Sequence, residues 1–387
     1  MGHFLTLFIT TYGLLHVYFI GCVWRAFPRS KPVRGGICAW CTLQIILPLI
    51  ARKFDIVVLE RVAFTWSVWI FWFFVLGILL DLWNLFLRLG YFLWGRIKKE
   101  TLNTPPSPSL PPASLSPRAA LCVCGIVILC GTVWGLIEAG SIRVETVTIR
   151  VPQFPKEKSP LRIVQISDLH LGGSTPRSRV KKVVRMIREL QPDLLVSTGD
   201  MVDGQVETLT HEAQLLASLQ APLGKLAVTG NHDAYSEIDH ANSFHREAGF
   251  KLLHGEDTLL LDGALRVVGV DDLTLIQTQP HFRFPHDVLP RKKSPGETVL
   301  LLAHRPTVEP ETFGRFDLQL SGHTHFGQVF PFRWVVWLQY PCLAGLYEFP
   351  HGSRLYVNRG TGTWGTPLRV LAPPEITVIT LENDPED

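Results

Sequence analysis

The sequence predicts two structural classes in tandem: an α-helical membrane bundle followed by a layered α/β domain. The first observation is the distribution of charge. The 387 residues are 47% hydrophobic and 18% charged, against about 25% charged in an average soluble domain. The shortfall is confined to residues 1–142, which hold 12 Lys and Arg against 5 Asp and Glu. Residues 143–387 hold 25 against 29 and sit near the soluble norm. The second observation is a change of pattern at that boundary. Long apolar runs precede it, and short β-rich runs alternating with helical periodicity follow it. Together these exclude a single soluble globule, a disordered chain and a wholly intramembrane bundle. Neither part is basic enough to point to nucleic acid, and no nucleic-acid partner is expected.

A spanning helix needs about 20 mostly apolar residues. Phe4–Trp24, Phe64–Leu80 and Ala119–Ile137 carry no charged residue. Leu82–Trp94 extends the second of these along the interface. Gly36–Ala51 is shorter and contains Pro48, and reads as a tilted fourth span or a re-entrant segment. Trp and Tyr cluster at the ends of these runs, as in an aromatic belt. Residues 1–103 are thus a membrane anchor of two or three spans. Residues 104–118 form an extended Pro/Ser-rich linker, and 119–140 the last transmembrane helix. The chain starts without a basic stretch before its apolar run, so a retained helix is expected rather than a cleaved signal. The lipid bilayer is the first expected partner.

Lys and Arg concentrate in the loops after the first and third apolar runs (Arg25, Arg29, Lys31, Arg34; Arg96, Lys98, Lys99, Arg118). These loops are expected on the cytoplasmic side. With four spans, the C-terminal domain then lies on the extracytoplasmic or lumenal face; with three, the assignment loses its basis. Six of the seven Cys fall in the apolar part, so no disulfide framework is expected. Cys38 and Cys41 have CxxC spacing, but no second pair accompanies them, and they read as helix packing.

Residues 143–387 form the folded domain. Leu161–Ser167, Asp193–Thr198, Lys225–Thr229, Leu265–Val270, Val299–Ala303 and Asp317–Leu320 read as buried strands. Val180, Val183, Val184, Ile187 and Leu190 fall at helical spacing. The opposite face of that helix carries Arg177, Arg179, Lys181, Lys182, Arg185 and Arg188, a solvated stripe or a contact for anionic headgroups.

The polar residues sit at strand ends. Asp168-Leu169-His170 follows the first strand, Gly199-Asp200 the second and Gly230-Asn231-His232-Asp233 the third. His304 ends a later strand, and Gly322-His323-Thr324-His325 the next. In open α/β sheets the carboxyl ends of strands converge on the site. Asp, His and Asn without Cys suit Mn, Fe or Zn. Two cations held close together could clamp the attacking and leaving oxygens of a phosphoryl transfer, and a shared carboxylate is needed to hold them so.

This order of motifs resembles the calcineurin-like metallophosphoesterases, and more closely their membrane-anchored branch. The likeness covers roughly residues 143–387 and includes Gly269–Asp272, Ala303–Pro306 and Gly360–Gly362. Phe326 departs from the small residue usual after this GHxH motif, which bears on pocket shape. The resemblance implies a layered sandwich of two mixed sheets flanked by helices. It assigns Asp168, His170 and His325 to one metal, and Asn231, His304 and His323 to a second, with Asp200 bridging. A hydroxide between the metals would attack phosphorus. His232 would protonate the leaving oxygen, oriented by Asp203. Asp271 and Asp272 read as contacts to the substrate or to the residues behind the ligands, or else as a strand-end turn, and His254, His281 and His286 as surface.

Phe330, Phe332, Trp334 and Trp337 follow the last ligand pair and form either an apolar flap for a lipid substrate or core packing. The expected function is membrane-anchored hydrolysis of a phosphodiester, phosphomonoester or pyrophosphate on a phosphorylated, lipid-linked substrate. A phosphoprotein phosphatase is the alternative within enzymes. A non-catalytic scaffold on the same fold is the alternative outside them. Loss of the acid His and of ligands would mark the scaffold, and here His232 and all seven ligand positions are present.

Overall fold

Apolar runs without helix breakers fold as long helices in the first part of the chain. The computed structural model describes residues 2–54, 56–102, 114–152, 154–173, 175–204, 206, 208–277 and 282–384. It divides into two compact units, Met1–Val133 and Trp134–Asp387.

The first unit contains α1 (Gly2–Ala26), α2 (Lys31–Lys53), α3 (Val57–Leu102) and most of α4 (Pro117–Gly140). Pro48 lies inside α2 without ending it. The runs Phe64–Leu80 and Leu82–Trp94 join in one helix, α3, because Asp81 between them is not a breaker. Its carboxylate accepts from Tyr18 Oη at 2.9 Å and pairs with Arg25 at 3.2 Å. At 46 residues, α3 is about 69 Å long, over twice the roughly 30 Å hydrocarbon core. Among the described residues, Val57–Arg96 and Pro117–Gly140 are long and apolar enough to cross a membrane. Of the predicted linker, residues 104–113 lie outside the described residues. Pro117 and Arg118 already belong to α4.

The second unit holds twelve strands among its described residues. These are β1 (Arg143–Val151), β2 (Leu161–Ile166), β3 (Leu194–Ser197), β4 (Lys225–Ala227), β5 (Lys251–Leu252) and β6 (Glu256–Leu260), then β7 (Leu265–Gly269), β8 (Thr298–Leu302), β9 (Leu318–Ser321), β10 (Gly345–Glu348), β11 (Arg354–Val357) and β12 (Glu375–Asn383). The helices are α5 (Arg177–Leu190), α6 (Thr210–Ala217), α7 (Asn231–Tyr235), α8 (Ile238–Glu247), α9 (Pro285–Val288) and α10 (Arg333–Trp337). Each strand expected from the sequence forms, within two residues at either end.

The strands make two mixed six-stranded sheets, ordered β1-β12-β2-β3-β4-β5 and β10-β11-β9-β8-β7-β6. Period-two alternation explains the layers. Ile163, Leu194 and Val196 turn inward to meet Val267, Leu300, Leu302 and Leu320 of the other sheet. Their neighbours Val164 and Leu195 turn outward onto Val180, Val183, Val184 and Ile187 of α5. On the far side, Val299 and Leu301 pack with Phe316 and Leu289. The parallel run β2-β3-β4 and its counterpart β7-β8-β9 therefore end at one edge of the sandwich, where the polar motifs lie.

Candidate metal centre

Each motif sits where a strand stops and the backbone turns sharply. Asp168, His170, Asp200, His323 and His325 all have positive φ, between 48° and 71°. Non-glycine residues hold such conformations at a cost of about 1–3 kcal/mol each, and such strain clusters at functional sites. The motif glycines have a steric cause. A Cβ on Gly322 would lie 2.3 Å from Asp168 Oδ2, and one on Gly230 would lie 2.1 Å from Asp200 Oδ1.

The seven predicted ligand positions come together. His170 Nε2 and His325 Nε2 face each other at 3.0 Å, with Asp168 Oδ1 3.4 Å from the latter. His323 Nδ1 and His304 Nε2 lie 3.1 Å apart, with Asn231 Oδ1 3.2 Å from His304 Nε2. Asp200 stands between these sets. Its Oδ1 accepts the His232 backbone N–H at 2.7 Å. Its Oδ2 points to both sides, 3.2 Å from His304 Nε2 and 3.8 Å from His170 Nε2. Imidazole nitrogens packed this closely, with one carboxylate oxygen between the pairs, fit two cations sharing a ligand.

The buried surroundings select which atom each residue offers. His304 Nδ1 donates to the Thr198 carbonyl at 2.8 Å, leaving Nε2 free to ligate. His323 Nε2 meets Tyr340 Oη at 3.0 Å, leaving Nδ1. Arg369, fully buried, donates from Nη2 to His325 Nδ1 at 3.0 Å and fixes the ring plane. The neutral ring then carries its proton on Nε2, which must be given up for that atom to ligate. The Asp168 carboxylate accepts the His323 backbone N–H at 3.1 Å.

His232 lies at the start of α7, with Nδ1 3.0 Å from Asp203 Oδ1. The other oxygen of Asp203 lies 3.3 Å from His170 Nδ1, without the alignment of a hydrogen bond. Burial disfavours a charged His232, but Asp200 and Asp203 outweigh it and lift the imidazole to about 9. Burial works against an ionised Asp200 as well, yet His304 and His232 hold its carboxyl well below the usual range. His232 also comes close to His170 and Asp200. Tyr235 and Trp364, both exposed, edge onto its ring at centroid distances of 5.5 and 5.7 Å.

Residues without a role in the sequence reading (Asp233, Arg305, Tyr340) and Asp272, for which a place behind the ligands is one expectation, support this centre. Asp233, the last residue of the GNHD stretch, is fully buried. It accepts backbone N–H groups of Asp200 (2.8 Å), Met201 (3.1 Å), Val202 (3.1 Å) and Gly230 (2.8 Å), tying two ligand loops together. Asp272 forms a two-point ion pair with Arg305, at 2.7 and 2.9 Å. Arg305 in turn reaches Tyr340 Oη at 3.2 Å. Asp271 accepts from Thr229 and His254, so His254 is not a bare surface residue. His286 pairs with Glu309 and Glu311. His281 lies outside the described residues. The adjacency of Asp233 to His232 and of Arg305 to His304 was the available signal; nothing local marked Tyr340 or Arg369.

The aromatic segment after His325 is not core. Phe332, Trp334 and Trp337 are 43%, 62% and 53% exposed. The basic stripe on α5 has a partly structural use, since Arg179 and Lys182 donate to the Ala139 and Gly140 carbonyls at the end of α4. Arg177 pairs with Glu212.

Residues 161–327 match the calcineurin-like phosphoesterase family. An uncharacterized metallophosphoesterase of Aquifex aeolicus is 36% identical over 260 residues, covering 66% of this chain and 98% of that protein. YkuE, an uncharacterized metallophosphoesterase of Bacillus subtilis, is 35% identical over 267 residues, 64% of this chain and 88% of YkuE. A Danio rerio protein named transmembrane protein with metallophosphoesterase domain is 34% identical over 265 residues, 65% of this chain and 60% of its own length. This chain therefore spans less than two thirds of that last relative. Fold, donor set and relatives define a metal-dependent phosphoester hydrolase. The chain belongs to the calcineurin-like phosphoesterase family.

Proposed function

We propose that this chain is a membrane-anchored phosphoesterase that uses two divalent cations, Mn, Fe or Zn, to hydrolyse a phosphodiester, phosphomonoester or pyrophosphate bond of a lipid-linked substrate. The observation that carries the reading is Asp200 Oδ2, directed at once toward His304 and His170. Asp168, His170 and His325 would hold one cation, Asn231, His304 and His323 the other, with Asp200 common to both. When bound, the cations offset charge on the phosphoryl oxygens and acidify the attacking water. Asp203 fixes the His232 ring, so that Nε2 carries the proton toward the leaving oxygen. The Asp203 carboxylate beside Nδ1 favours the acid form of His232. Tyr235 and Trp364 bracket the same ring and supply an apolar contact for the leaving group.

Membrane anchoring is supported by the apolar helices and by the transmembrane naming of relatives. If all four apolar runs cross, loop charge favours the extracytoplasmic or lumenal side for the catalytic domain. Protease digestion of that domain from the cytoplasmic face of sealed vesicles would overturn the sidedness.

For activity, the full chain in nanodiscs is loaded with Mn and given a nitrophenyl phosphodiester, a nitrophenyl phosphomonoester and a fractionated lipid extract. Turnover of the lipid fraction is expected, with Asp200→Asn lowering it by about 100-fold or more. If the wild type turns over nothing that Asp200→Asn does not, the enzyme reading fails and a scaffold takes its place.

A further inference from the structure

The end of α4 is hydrogen-bonded into the loop beside the metal centre. Trp134–Gly140 belong to the catalytic unit. The Gly135 carbonyl accepts from Arg369 N at 3.1 Å, and Glu138 Oε2 accepts from Leu371 N at 3.0 Å. The Leu371 carbonyl accepts from Arg333 Nη2 at 2.6 Å, on α10. Two hydrogen bonds thus connect the last turn of α4 to α10. If Pro117–Gly140 crosses a bilayer, about 20 residues use up its hydrocarbon core. Glu138 then stands at the polar boundary, and α10 beside it.

The side chains of α10 fit that level. Trp334, Trp337 and Leu338 are spaced i, i+3, i+4 and share one face, and they are 62%, 53% and 78% exposed. Tyr340, beyond them, is buried against His323. Leu371 adds a further apolar side chain. It is 52% exposed on a backbone held at φ 55°, a conformation that costs a leucine about 1–2 kcal/mol and turns the side chain outward. On α4 itself, Trp134 and Ile137 are 55% and 61% exposed. Water gains nothing from such a set, whereas the headgroup boundary accommodates Trp and Leu.

We propose that α10 and Leu371 insert into the bilayer that α4 leaves, so that the rim of the metal centre rests at headgroup level. This rests on the reading that α4 spans the membrane, and it goes beyond that reading by naming the surface that docks. The phosphate groups of lipids then reach His232 and Trp364 without leaving the bilayer.

The test places the photoreactive residue p-benzoylphenylalanine at Trp337, or in a second protein at Leu338, of the full chain in nanodiscs of alkyne-tagged phospholipid. Leu129, 63% exposed on α4, is the span control. Asp262, exposed at the opposite end of the sheets, is the solvent control. Lipid adduct at both α10 positions, comparable to that at Leu129 and absent at Asp262, is expected. Adduct at Leu129 with none at Trp337 or Leu338 overturns the docking while the spanning reading stands. Cross-linking of the α10 positions to a second copy of the chain overturns it in favour of a self-interface. Absence of adduct at Leu129 removes the spanning reading, and the proposal with it.

Discussion

Arg369 donates to His325 across 44 positions of sequence, from Nη2 to Nδ1 at 3.0 Å. The guanidinium has no exposure, and its remaining N–H groups go to the carbonyls of Gly362, Arg359 and Ala372. Every donor is used, so the group cannot turn away from the imidazole. A buried arginine is thereby a clamp on one ligand of the metal centre.

Arg369→Lys keeps the charge but has neither the planar fork nor the reach. Partners that orient metal ligands are worth about 10–100-fold in affinity, usually as acceptors of the ligand N–H; Arg369 is a donor and acts by holding the ring in place. Calorimetric titration of the full chain with Mn should show one of two binding steps weakened by about that factor. Unchanged Mn affinity in a protein that folds normally would rule out the clamp.

Tyr340→Phe tests the second set. It removes the hydroxyl that meets His323 Nε2 and Arg305 and leaves the ring in place. The expected result is about a tenfold loss of affinity at the other Mn step, with Tm nearly unchanged. If instead Tm falls sharply while both Mn affinities persist, Tyr340 is a packing residue.

These two residues also show where sequence reading stops. The strands were legible as local apolar runs, and the sandwich and the seven ligand positions through the order of strand-end motifs on which the family resemblance rests. In three of the five motifs a glycine precedes the ligand (Gly199, Gly230, Gly322). Asp203 was legible through the same resemblance, three positions after Asp200. Arg369 and Tyr340 reach the site from distant loops, through contacts that only the folded chain creates. The aromatic stretch was seen, but its exposure was not, because a five-residue helix is too short for periodicity to separate an inner face from an outer one. In the first unit the apolar runs were legible, as was the extension of Phe64–Leu80 by Leu82–Trp94 that α3 contains, while Tyr18 and Arg25 as partners of Asp81 were not.

His232→Ala should act through the leaving group. With a nitrophenyl phosphodiester, whose leaving oxygen needs little protonation, the loss is expected to be small. With an alkyl phosphodiester it should reach about 100–10,000-fold, the range of a positioned proton donor. Comparing kcat for the two substrates on wild type and variant isolates this effect. Equal losses on both would assign His232 to ligand geometry instead.

Asp272 offers a dependence on pH that does not involve turnover. Burial works against its charge, but Arg305 at 2.7 and 2.9 Å prevails and lowers its pKa. The unfolded carboxyl titrates near 3.9, at about the model-peptide value. A folded pKa below the unfolded one contributes stability that is complete above that point and disappears as pH falls through the folded value. Asp272→Asn leaves Arg305 half-buried without its counter-ion, and breaking such a pair costs about 3–5 kcal/mol when fully buried. Arg305 keeps some exposure, 23% of its side chain, so the loss should fall at or below the low end of that range. Thermal unfolding with EDTA, which takes metal affinity out of the comparison, should give a Tm gap between wild type and Asp272→Asn that is constant from pH 7 to 5. The gap should close below about pH 4. A gap that stays constant into acid would mean that the aspartate acts by packing or by neutral hydrogen bonds to Thr274, and that its charge on Arg305 contributes nothing.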